Sequence, residues 1–506
     1  MTVAHDPAAL PADPNSFSHL PLPQAQLENL AQLGYRAMTP VQAASLPLAL
    51  AGADLIVQAQ TGSGKTAAFA LALLANLGRA PSAAPPEPSE PGAPAERAFA
   101  VRALVLCPTR ELADQVAIEV RRLARSEDNI KTVTLCGGAP MHLQRASLEH
   151  GAHVVVGTPG RIIDHLTRGS LQLAALNTLV LDEADRMLDM GFFDDIAAIA
   201  KHCPTRRQTL LFSATYPDGI AALSRQFMCA PKEVTVQPRQ AQSRIEQRFY
   251  EVRDDERLHA VARLLAHFRP VSTLAFCNTR QQCRDLVDVL LAQGYSAAAL
   301  HGELEQRDRD QVLVQFANRS CSVLVATDVA ARGLDIAQLD TVINVDITPD
   351  PQVHVHRIGR TGREGAQAAA AGLALSLASL DEMGSVGKIE QAQGSETGWH
   401  PLSELAPAPG GPLRPPMVTL QIVGGRKEKI RPGDVLGALT GEAGFSAAQV
   451  GKINVNEFST YVAVDRQIAD AALKRLAAGK VKGRKVKVRA LMPASSNPNA
   501  RAEGAR

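Results

Sequence analysis

The chain repeats one rhythm in two successive halves: a short apolar run, a polar or glycine-rich turn, and then a helix pattern. Continuous apolar runs without alternation are typical of strands buried on both faces of a parallel sheet. The runs in the first half are 55–57, 103–106, 133–135, 154–156, 179–181 and 210–212, and those in the second half are 274–276, 298–300, 323–325, 342–343 and 373–375. The rhythm predicts two tandem doubly wound α/β lobes that bind ligands at the carboxyl ends of their strands.

The overall composition is that of a globular chain. Its contents of hydrophobic residues (45%) and charged residues (21%) are ordinary for a globular protein. A chain of 506 residues is too long to fold around a single hydrophobic core. No stretch approaches the roughly 18 consecutive apolar residues that a membrane-spanning helix needs, and residues 1–17 lack an apolar signal core. None of the seven cysteines forms a Cys-x-x-Cys pair, and an odd number fits no closed disulfide framework. We therefore expect reduced thiols and a cytoplasmic protein.

The net charge of +2 conceals an asymmetry along the chain. Residues 412–506 contain 17 Lys and Arg against 7 Asp and Glu, which leaves 36 basic and 44 acidic residues elsewhere. The end of the chain therefore carries +10 and the remainder −8. Such a split is typical of a basic module that binds a polyanion. A disordered basic tail is the alternative, but apolar strand patterns within the segment argue against it.

Shifts in composition mark the domain boundaries. Pro- and Ala-rich stretches indicate a mobile insert in the first lobe and a semi-rigid linker before the basic module. We predict a flexible N-terminus (1–16), a first lobe (17–237) with a disordered insert at about 80–97, a second lobe (243–405), a Pro-rich linker (406–416), a small α+β basic domain (417–493) and a flexible tail (494–506).

A glycine-rich loop follows the first apolar run and precedes an apolar helix pattern. Glycines let backbone N–H groups close around phosphate oxygens, and a helix N-terminus adds positive potential. The predicted nucleotide-binding residues are Ala59, Gln60, Thr61, Gly62, Ser63, Gly64, Lys65 and Thr66. Lys65 is expected to reach the β- and γ-phosphates and the Thr66 hydroxyl to bind Mg²⁺. Ala59 stands where the general pattern has its first glycine.

Two neighbouring carboxylates follow the apolar run 179–181. In the sequence Asp182-Glu183-Ala184-Asp185, we assign Asp182 to the Mg²⁺ ion and Glu183 to the polarisation of the attacking water. A solvated acidic turn is the alternative, and the phosphate loop upstream makes it the weaker one.

These blocks, in this order, resemble the DEAD-box family of RNA helicases from Phe17 to about Leu380. The resemblance implies RecA-like lobes, ATP hydrolysis and an RNA partner. Residues 34–42 are similar to the family's Q motif, which implies that Gln42 reads the adenine edge and that Phe17 stacks on the ring. An amide suits this task because it donates and accepts. A lone Gln at a helix start is otherwise often a capping residue.

The resemblance assigns further residues around the nucleotide. Ser213 and Thr215 match the motif that couples hydrolysis to lobe closure. Asp335 matches the ribose contact, and the guanidiniums of Arg360 and Arg363 match those that reach the γ-phosphate. Arginine suits that role because it is always charged and bidentate towards phosphate. These matches imply a catalytic centre that is complete only when the lobes close.

The resemblance also implies a track for the RNA backbone. Hydroxyls, backbone N–H groups and arginines at helix starts commonly contact phosphate. The matching residues are Pro108, Thr109, Arg110, Gly137, Gly138, Thr158, Gly160 and Arg161 in the first lobe, and Arg280, Gln306, Arg309 and Thr327 in the second. Such contacts do not read bases, so we expect a core that is indifferent to sequence. Glu303 replaces the commoner Asp of its motif, and we give it no role.

The basic module has the order β-α-β-β-α-β. Its predicted strands are 417–423, 451–455, 460–464 and 485–491, and its helices are 432–440 and 466–476. This order resembles an RNA recognition motif, although Thr419 and Ser459 stand at stacking positions where only Tyr461 is aromatic. We therefore expect RNA contacts from Tyr461 together with Arg426, Lys427, Lys429, Lys485 and Lys487. A merely solubilising basic surface is the alternative.

The basic module and residues 300–309 resemble the bacterial DbpA branch of the family. That resemblance implies a hairpin of large-subunit ribosomal RNA as target, pre-ribosomal particles as partners and a role in ribosome assembly. We separately expect a monomer. Two rivals remain: an ATP-switched RNA clamp or annealer, which shares every motif, and a DNA helicase, which the Q motif and the RNA-type module oppose.

Overall fold

The computed structural model describes residues 15–60, 62–78, 100–127, 129–216, 218–236, 245–331, 339–362, 372–442 and 444–491. The described residues up to 236 form one compact unit, and those from 245 onwards form a second. The insert predicted at about 80–97 and the tail predicted at 494–506 lie outside the described residues, as does most of the predicted N-terminal segment.

The first unit is a doubly wound α/β lobe around a seven-stranded sheet in the order β3-β4-β2-β5-β6-β1-β7. Its strands are β1 (Leu55–Gln58), β2 (Ala103–Leu106), β3 (Thr132–Leu135), β4 (Val154–Gly157), β5 (Thr178–Leu181), β6 (Gln208–Ser213) and β7 (Lys232–Thr235). Its helices are α1 (Gln24–Gln32), α2 (Pro40–Leu50), α3 (Lys65–Leu77), α4 (Arg110–Leu123), α5 (Met141–Glu149), α6 (Pro159–Thr167), α7 (Ala184–Asp189), α8 (Phe193–Lys201) and α9 (Asp218–Phe227). Adjacent strands pair in parallel, as predicted.

Continuous apolar runs form this sheet because both of its faces are covered. Along β5, Leu179 and Leu181 belong to one buried cluster, whereas Val180 belongs to the cluster on the other face. The edge strand β7 was not predicted. Of its four residues only Val234 is buried, so it lacks the continuous apolar run that marks the inner strands.

The second unit begins with another seven-stranded sheet, in the order β10-β11-β9-β12-β13-β8-β14. Its strands are β8 (Ile245–Glu251), β9 (Thr273–Phe276), β10 (Ala297–Leu300), β11 (Val323–Ala326), β12 (Thr341–Asn344), β13 (Gly372–Ala378) and β14 (Trp399–His400). Its helices are α10 (Arg257–Phe268), α11 (Arg280–Ala292), α12 (Gln306–Ala317), α13 (Asp328–Ala331), α14 (Pro351–Ile358) and α15 (Met383–Gln393). The five predicted strands are present, and β8 and β14 are additional.

The same unit ends in a small antiparallel sheet with strand order β16-β17-β15-β18. Its strands are β15 (Met417–Val423), β16 (Val450–Val455), β17 (Ser459–Asp465) and β18 (Lys487–Ala490), and its helices are α16 (Pro432–Gly437) and α17 (Ala469–Ala478). The predicted β-α-β-β-α-β order is confirmed. A π-helix, Ala438–Glu442, continues α16, and the last strand begins two residues later than predicted.

The Pro-rich linker lies against the second lobe, in contrast to the predicted spacer. The Arg269 guanidinium donates from Nη1 to the carbonyls of Pro409 (2.9 Å) and Gly411 (2.8 Å). The N–H of Ala408 donates to the carbonyl of Ala266 at 3.1 Å. A proline-rich segment has carbonyls without intrasegment partners, and here the Arg269 guanidinium supplies the donor for two of them.

Contacts also join the small sheet to the second lobe. The buried hydroxyl of Thr419 lies 2.6 Å from the Ser320 hydroxyl and accepts a 3.2 Å hydrogen bond from the Asn318 amide. The N–H of Met417 donates to the carbonyl of Arg319 at 3.3 Å. The small domain is therefore held against the second lobe through its first strand.

The cysteines and the helices can also be compared with the expectations from the sequence. The seven cysteines are unpaired, as predicted, and all except Cys229 are buried. Among the described residues, no helix combines the length and the apolar character that crossing a membrane requires.

Candidate nucleotide and RNA sites

The phosphate loop connects β1 to α3 and is anchored from both sides. The N–H of Ala59 donates to the carbonyl of Ser213 at 3.0 Å, and the buried Lys65 Nζ donates to the carbonyl of Ala59 at 2.8 Å. Gly64 has φ 94°, and a Cβ there would lie 2.7 Å from Nε2 of Gln42. Only glycine fits this position. Thr61 lies outside the described residues, while Gln60, Gly62, Ser63 and Thr66 are accessible.

The acidic turn follows β5 and begins with a buried carboxylate. Asp182 is 2% exposed and accepts a 3.0 Å hydrogen bond from the N–H of Glu183. Burial raises the pKa of Asp182 to about 7, although the nearby Lys65 ammonium acts in the opposite direction. Glu183 has left-handed backbone angles (φ 49°, ψ 52°), which are strained for a residue with a side chain. The turn therefore holds the Asp182 carboxylate beside the phosphate loop's lysine.

A second aspartate of the turn connects it to β6. Oδ2 of Asp185 accepts hydrogen bonds from the N–H groups of Ala214 (3.1 Å) and Thr215 (2.9 Å) and from the Thr215 hydroxyl (3.0 Å). Burial alone would raise the pKa of Asp185, but these hydrogen bonds outweigh it and hold the pKa below its usual value. The Ser213 hydroxyl donates to the carbonyl of Thr215 at 2.6 Å. Ser213 thus contacts the phosphate loop through its carbonyl, and Thr215 contacts the acidic turn through its N–H and hydroxyl groups. The sequence pattern predicts functions for Asp182 and Glu183 but none for Asp185.

Gln42 serves as a helix-capping residue and as a brace for the phosphate loop. Its Oε1 accepts from the N–H of Thr39 at 2.9 Å, which completes a capping box at the start of α2. Its Nε2 donates to the carbonyl of Gly64 at 3.1 Å. The amide is therefore next to the phosphate loop, in the orientation that a capping box requires.

Phe17 lies in a short 3₁₀ helix and is 5% exposed. Its ring meets the ring of Tyr35 edge-on, with centroids 6.3 Å apart. Residues 17 and 42, predicted to recognise the base, thus belong to one packed N-terminal segment of the lobe.

The first-lobe RNA residues lie at helix starts beside glycines. A Cβ on Gly138 would lie 1.9 Å from Nη1 of Arg110, and one on Gly137 would lie 3.1 Å from Nη2. The Arg110 guanidinium therefore packs directly on this glycine pair. Thr109 caps α4 by accepting from the N–H of Leu112 at 3.3 Å, and Pro108 before it is buried.

Arg161 joins two of the predicted RNA blocks. From α6, its Nη1 donates to the carbonyl of Ala139 (2.9 Å) and to Oε1 of Gln144 (2.8 Å), both of which follow β3. Thr158 is the N-cap of the same helix, and Gly160 is exposed at its second position. The structure thus brings together the loops after β2, β3 and β4, which contain all the predicted first-lobe RNA residues.

The second-lobe RNA residues occupy the corresponding edge of their own sheet. Arg280 starts α11 and pairs with Glu303 at 2.8 Å, and Arg284 pairs with the same carboxylate. Gln306 begins α12, and its Nε2 donates to Asp310 at 2.8 Å. Arg309 donates to the carbonyl of Ala330 at 2.8 Å, which ties α12 to the short helix that follows Thr327. Glu303, to which we gave no role, therefore positions a predicted RNA contact.

Arg357, three residues before the predicted γ-phosphate contact Arg360, is a buried structural residue. Its guanidinium donates to both carboxylate oxygens of Asp328 (2.8 and 2.7 Å) and to Asn278 (3.0 Å). Arg360 follows at the end of α14 and is 7% exposed. Arg363 and Asp335 lie outside the described residues.

The cations predicted to bind RNA in the small domain are exposed, but Tyr461 is not. Arg426, Lys427, Lys429, Lys485 and Lys487 are accessible. Tyr461 is 3% exposed, and its hydroxyl accepts from the Gln421 amide at 3.3 Å. In this arrangement the Tyr461 ring is not available for stacking.

Comparisons with known proteins agree with this organisation. The DEAD/DEAH box helicase family matches residues 39–223, the helicase conserved C-terminal domain matches 256–365, and the DbpA RNA binding domain matches 419–490.

Individual relatives give the same result. The ATP-dependent RNA helicase DbpA of Escherichia coli is 50% identical over 470 residues, which cover 93% of this chain and 98% of that protein. The DEAD-box ATP-dependent RNA helicase CshA of Geobacillus kaustophilus is 41% identical over 68% of this chain and 70% of its own length. A structure of S. cerevisiae Dbp5 bound to RNA and ADP BeF3 superposes with a TM-score of 0.65 at 27% identity, covering 77% of this chain and 96% of that one. The chain therefore belongs to the DEAD-box ATP-dependent RNA helicases, with two tandem RecA-like lobes and the RNA-binding domain of the DbpA type.

Proposed function

We propose that this helicase remodels structured RNA of the large ribosomal subunit during ribosome assembly, and that its C-terminal domain directs it to a hairpin of that RNA. The charge distribution carries this proposal. An RNA-binding domain at +10 is joined to a remainder at −8, so most of the attraction towards RNA is concentrated in the small domain. We further propose that the protein acts as a cytoplasmic monomer.

The first lobe supplies the groups for ATP hydrolysis. Lys65, at the start of α3, binds the β- and γ-phosphates together with the N–H groups of the loop. Glu183 polarises the attacking water and accepts its proton. Gln42 and Phe17 recognise the adenine, and Asp335 contacts the ribose. Arg360 and Arg363 of the second lobe bind the γ-phosphate and make turnover depend on lobe closure.

The residues at the acidic turn fit a magnesium ion. Asp182 is a carboxylate whose pKa is raised by burial, with a further contribution from the Glu183 charge, and a bound cation would favour its ionised form. Within the described residues no group of three or more His, Cys, Asp or Glu could hold a metal alone. This suits Mg²⁺, which keeps waters and phosphate oxygens as ligands alongside one or two protein groups, here Asp182 and Thr66. When bound, Mg²⁺ neutralises charge that develops on the phosphates.

The core RNA residues are proposed to bind the sugar–phosphate backbone without reading bases. They are the first-lobe residues 108–110, 137, 138, 158, 160 and 161, and the second-lobe residues 280, 306, 309 and 327. Specificity then rests on the C-terminal domain.

The test compares ATPase stimulation by two RNAs of equal length, with and without that domain. One RNA contains the hairpin from the large-subunit ribosomal RNA, and the other is a scrambled sequence. Truncation after Gly411 keeps the linker contacts of Arg269 intact. We expect the full chain to need much less of the hairpin RNA than of the scrambled RNA for half-maximal stimulation, and the truncated chain to show no preference. If truncation leaves the ratio unchanged, the domain does not determine specificity.

A strand-displacement assay on a duplex adjoining the same hairpin separates remodelling from clamping. ATP-dependent displacement supports the proposed activity. ATP-dependent retention on RNA without displacement would favour the clamp instead.

A further inference from the structure

The C-terminal domain exposes one aromatic ring away from the usual stacking positions of its sheet. Phe458 is 56% exposed and lies in the turn between β16 and β17. Among the described residues of this domain it is the large aromatic side chain that faces solvent. A single exposed ring is ordinary on a protein surface, so its neighbours decide whether it can bind a ligand.

The usual stacking positions are occupied by contacts within the protein. The Thr419 hydroxyl is buried against Ser320 and Asn318 of the second lobe. Tyr461 is buried and its hydroxyl binds Gln421. An unpaired base therefore needs another surface in this domain.

The turn that contains Phe458 is fixed to the neighbouring loop, residues 424–431. The N–H groups of Arg426 and Lys427 donate to the carbonyls of Asn456 (2.9 Å) and Glu457 (3.1 Å). A Cβ on Gly425 would lie 2.2 Å from the carbonyl oxygen of Asn456, so the two loops are in direct backbone contact. A ring on such a rigid support loses little conformational freedom on binding.

One cation lies over the ring, and two others are on the same loop. Lys427 Nζ lies 4.3 Å from the Phe458 ring centroid and 3.5 Å from a carboxylate oxygen of Glu457. Both partners of this ion pair are about half exposed, with side-chain accessibilities of 47% and 51%, so the lysine is weakly held. Arg426 and Lys429, on the same loop, are also exposed. An aromatic face with a weakly held lysine beside it matches a nucleotide, which offers a flat base and an adjacent phosphate.

We infer that Phe458 is the stacking platform for one unpaired base of the bound RNA, and that Lys427 moves from the ring to the adjoining phosphate as the base arrives. This inference rests on the RNA-directing role proposed for the domain and adds a specific contact to it. Stacking of a base on an aromatic side chain outweighs the exposed contacts that hold Lys427 in the absence of RNA.

The experiment uses the full chain and hairpin RNAs that contain 2-aminopurine at each unpaired position in turn. Phe458→Ala should weaken binding about 5- to 150-fold, the range for one stacked base, and should abolish the fluorescence change at one position. Phe458→Trp should retain both. Leu436→Ala, which removes another exposed apolar side chain from the same domain, is the matched control and should bind as wild type. Unchanged binding and fluorescence in Phe458→Ala would overturn the inference.

Salt dependence distinguishes stacking from charge. Phe458→Ala should leave the slope of log affinity against log salt unchanged, whereas Lys427→Ala should flatten it by about 0.7–0.9, the value for one lost phosphate contact. Equal flattening in both variants would contradict a stacking role.

A scrambled RNA separates the inference from the proposed function. If hairpin and scrambled RNA bind equally and Phe458→Ala weakens both, the stacking site stands and the ribosomal preference fails. If the hairpin is preferred and Phe458→Ala binds as wild type, the preference stands and the stacking site fails.

Discussion

At the scale of single residues, the first lobe places similar carboxylates in opposite environments. Asp182 has few polar partners and a pKa raised by burial, whereas Asp185 accepts three hydrogen bonds that lower its pKa. Between them stands Glu183 in a strained left-handed conformation. Such strain persists where surrounding structure imposes it, and it occurs often at functional sites.

Glu183→Gln should abolish hydrolysis but not ATP binding. The amide keeps the size of the side chain but cannot accept the proton of the attacking water. Loss of a general base lowers the rate by about 10²–10⁴, measurable in steady-state ATPase assays beside the affinity for a fluorescent ATP analogue. Asp189→Asn makes a comparable charge change at an exposed position of α7 and should have wild-type activity. Hydrolysis within a fewfold of wild type in Glu183→Gln would show that Glu183 is not the base.

A buried histidine should make the second lobe sensitive to acid. His354 is 1% exposed, its Nε2 lies 3.1 Å from Oε1 of Gln247, and its Nδ1 has no partner among the described residues. Burial, aided by the nearby Arg357, lowers the pKa of His354 from 6.5 to about 4. Between pH 4 and pH 6.5, His354 is protonated in the unfolded chain but neutral in the folded lobe. The contribution of neutral His354 to the free energy of unfolding is therefore complete above pH 6.5 and is lost as the pH falls towards 4. At pH 5 the loss is roughly 2 kcal/mol relative to pH 7.5.

The single tryptophan makes this measurement specific to the second lobe. Trp399 lies in β14 with its ring 5.8 Å from that of Phe249, so its fluorescence reports urea unfolding there. The wild type should lose stability between pH 7.5 and pH 5, and His354→Gln should lose about 2 kcal/mol less over the same interval. An equal loss in both proteins would assign the acid sensitivity to other groups.

At the scale of elements, sequence predicted the strands that contain a continuous apolar run, including the edge strands β3 and β10, and missed three strands that lack one, β7, β8 and β14. The inner strand β5 (Thr178–Leu181) is buried along its whole length. In contrast, β7 buries one residue and β8 mixes charged and aromatic residues, so neither has a continuous apolar run. Their positions follow from pairing with distant strands, β1 for β7 and β13 for β8, which no local pattern contains.

The site residues also divide into those that a local sequence pattern predicts and those that become neighbours only in the folded chain. The phosphate loop and acidic turn were predictable because each is a local pattern at a strand end. The Arg357–Asp328 pair was not, since its partners are 29 residues apart and become neighbours only in the folded lobe. Exposure of Phe458 likewise depends on the contact between two loops, whereas burial of Tyr461 accompanies the packing of its sheet face.

The contact between the acidic turn and β6 should transmit hydrolysis to RNA remodelling. Thr215→Ala removes one of three hydrogen bonds to Asp185, while the backbone donors remain. A hydrogen bond to a charged group contributes about 1.5–3 kcal/mol, so strand displacement should fall by roughly tenfold or more, with ATP hydrolysis reduced only a few times. Thr215→Ser keeps the hydroxyl and should behave as wild type. Parallel loss of hydrolysis and displacement in Thr215→Ala would argue against a coupling role.

At the scale of the whole molecule, the RNA-binding domain is in contact with the second lobe. We expect this contact to determine how RNA bound to the domain stimulates ATP hydrolysis. The linker is attached to α10 through Arg269, and Thr419 is buried against Ser320 and Asn318. A domain held in this way presents its RNA to the second lobe in one orientation. A flexible tether would increase only the local concentration of RNA.

The last prediction tests this fixed orientation. Spin labels at Lys388→Cys in α15 and Lys474→Cys in α17, on a Cys229→Ser background, avoid the buried native thiols. The wild type should give one narrow distance distribution. Arg269→Ala combined with Thr419→Ala should broaden it, because the linker carbonyls lose the Arg269 guanidinium and the buried Asn318 amide loses its acceptor. Leaving a buried group unsatisfied costs about 1–3 kcal/mol. Thr440→Ala, which removes a hydroxyl that donates to the Leu436 carbonyl within its own domain, is the control. RNA affinity should stay near wild type in the double variant while stimulation of ATPase activity by the hairpin RNA falls. A broad distribution in the wild type, or full stimulation despite a broadened one, would mean that the linker acts as a tether.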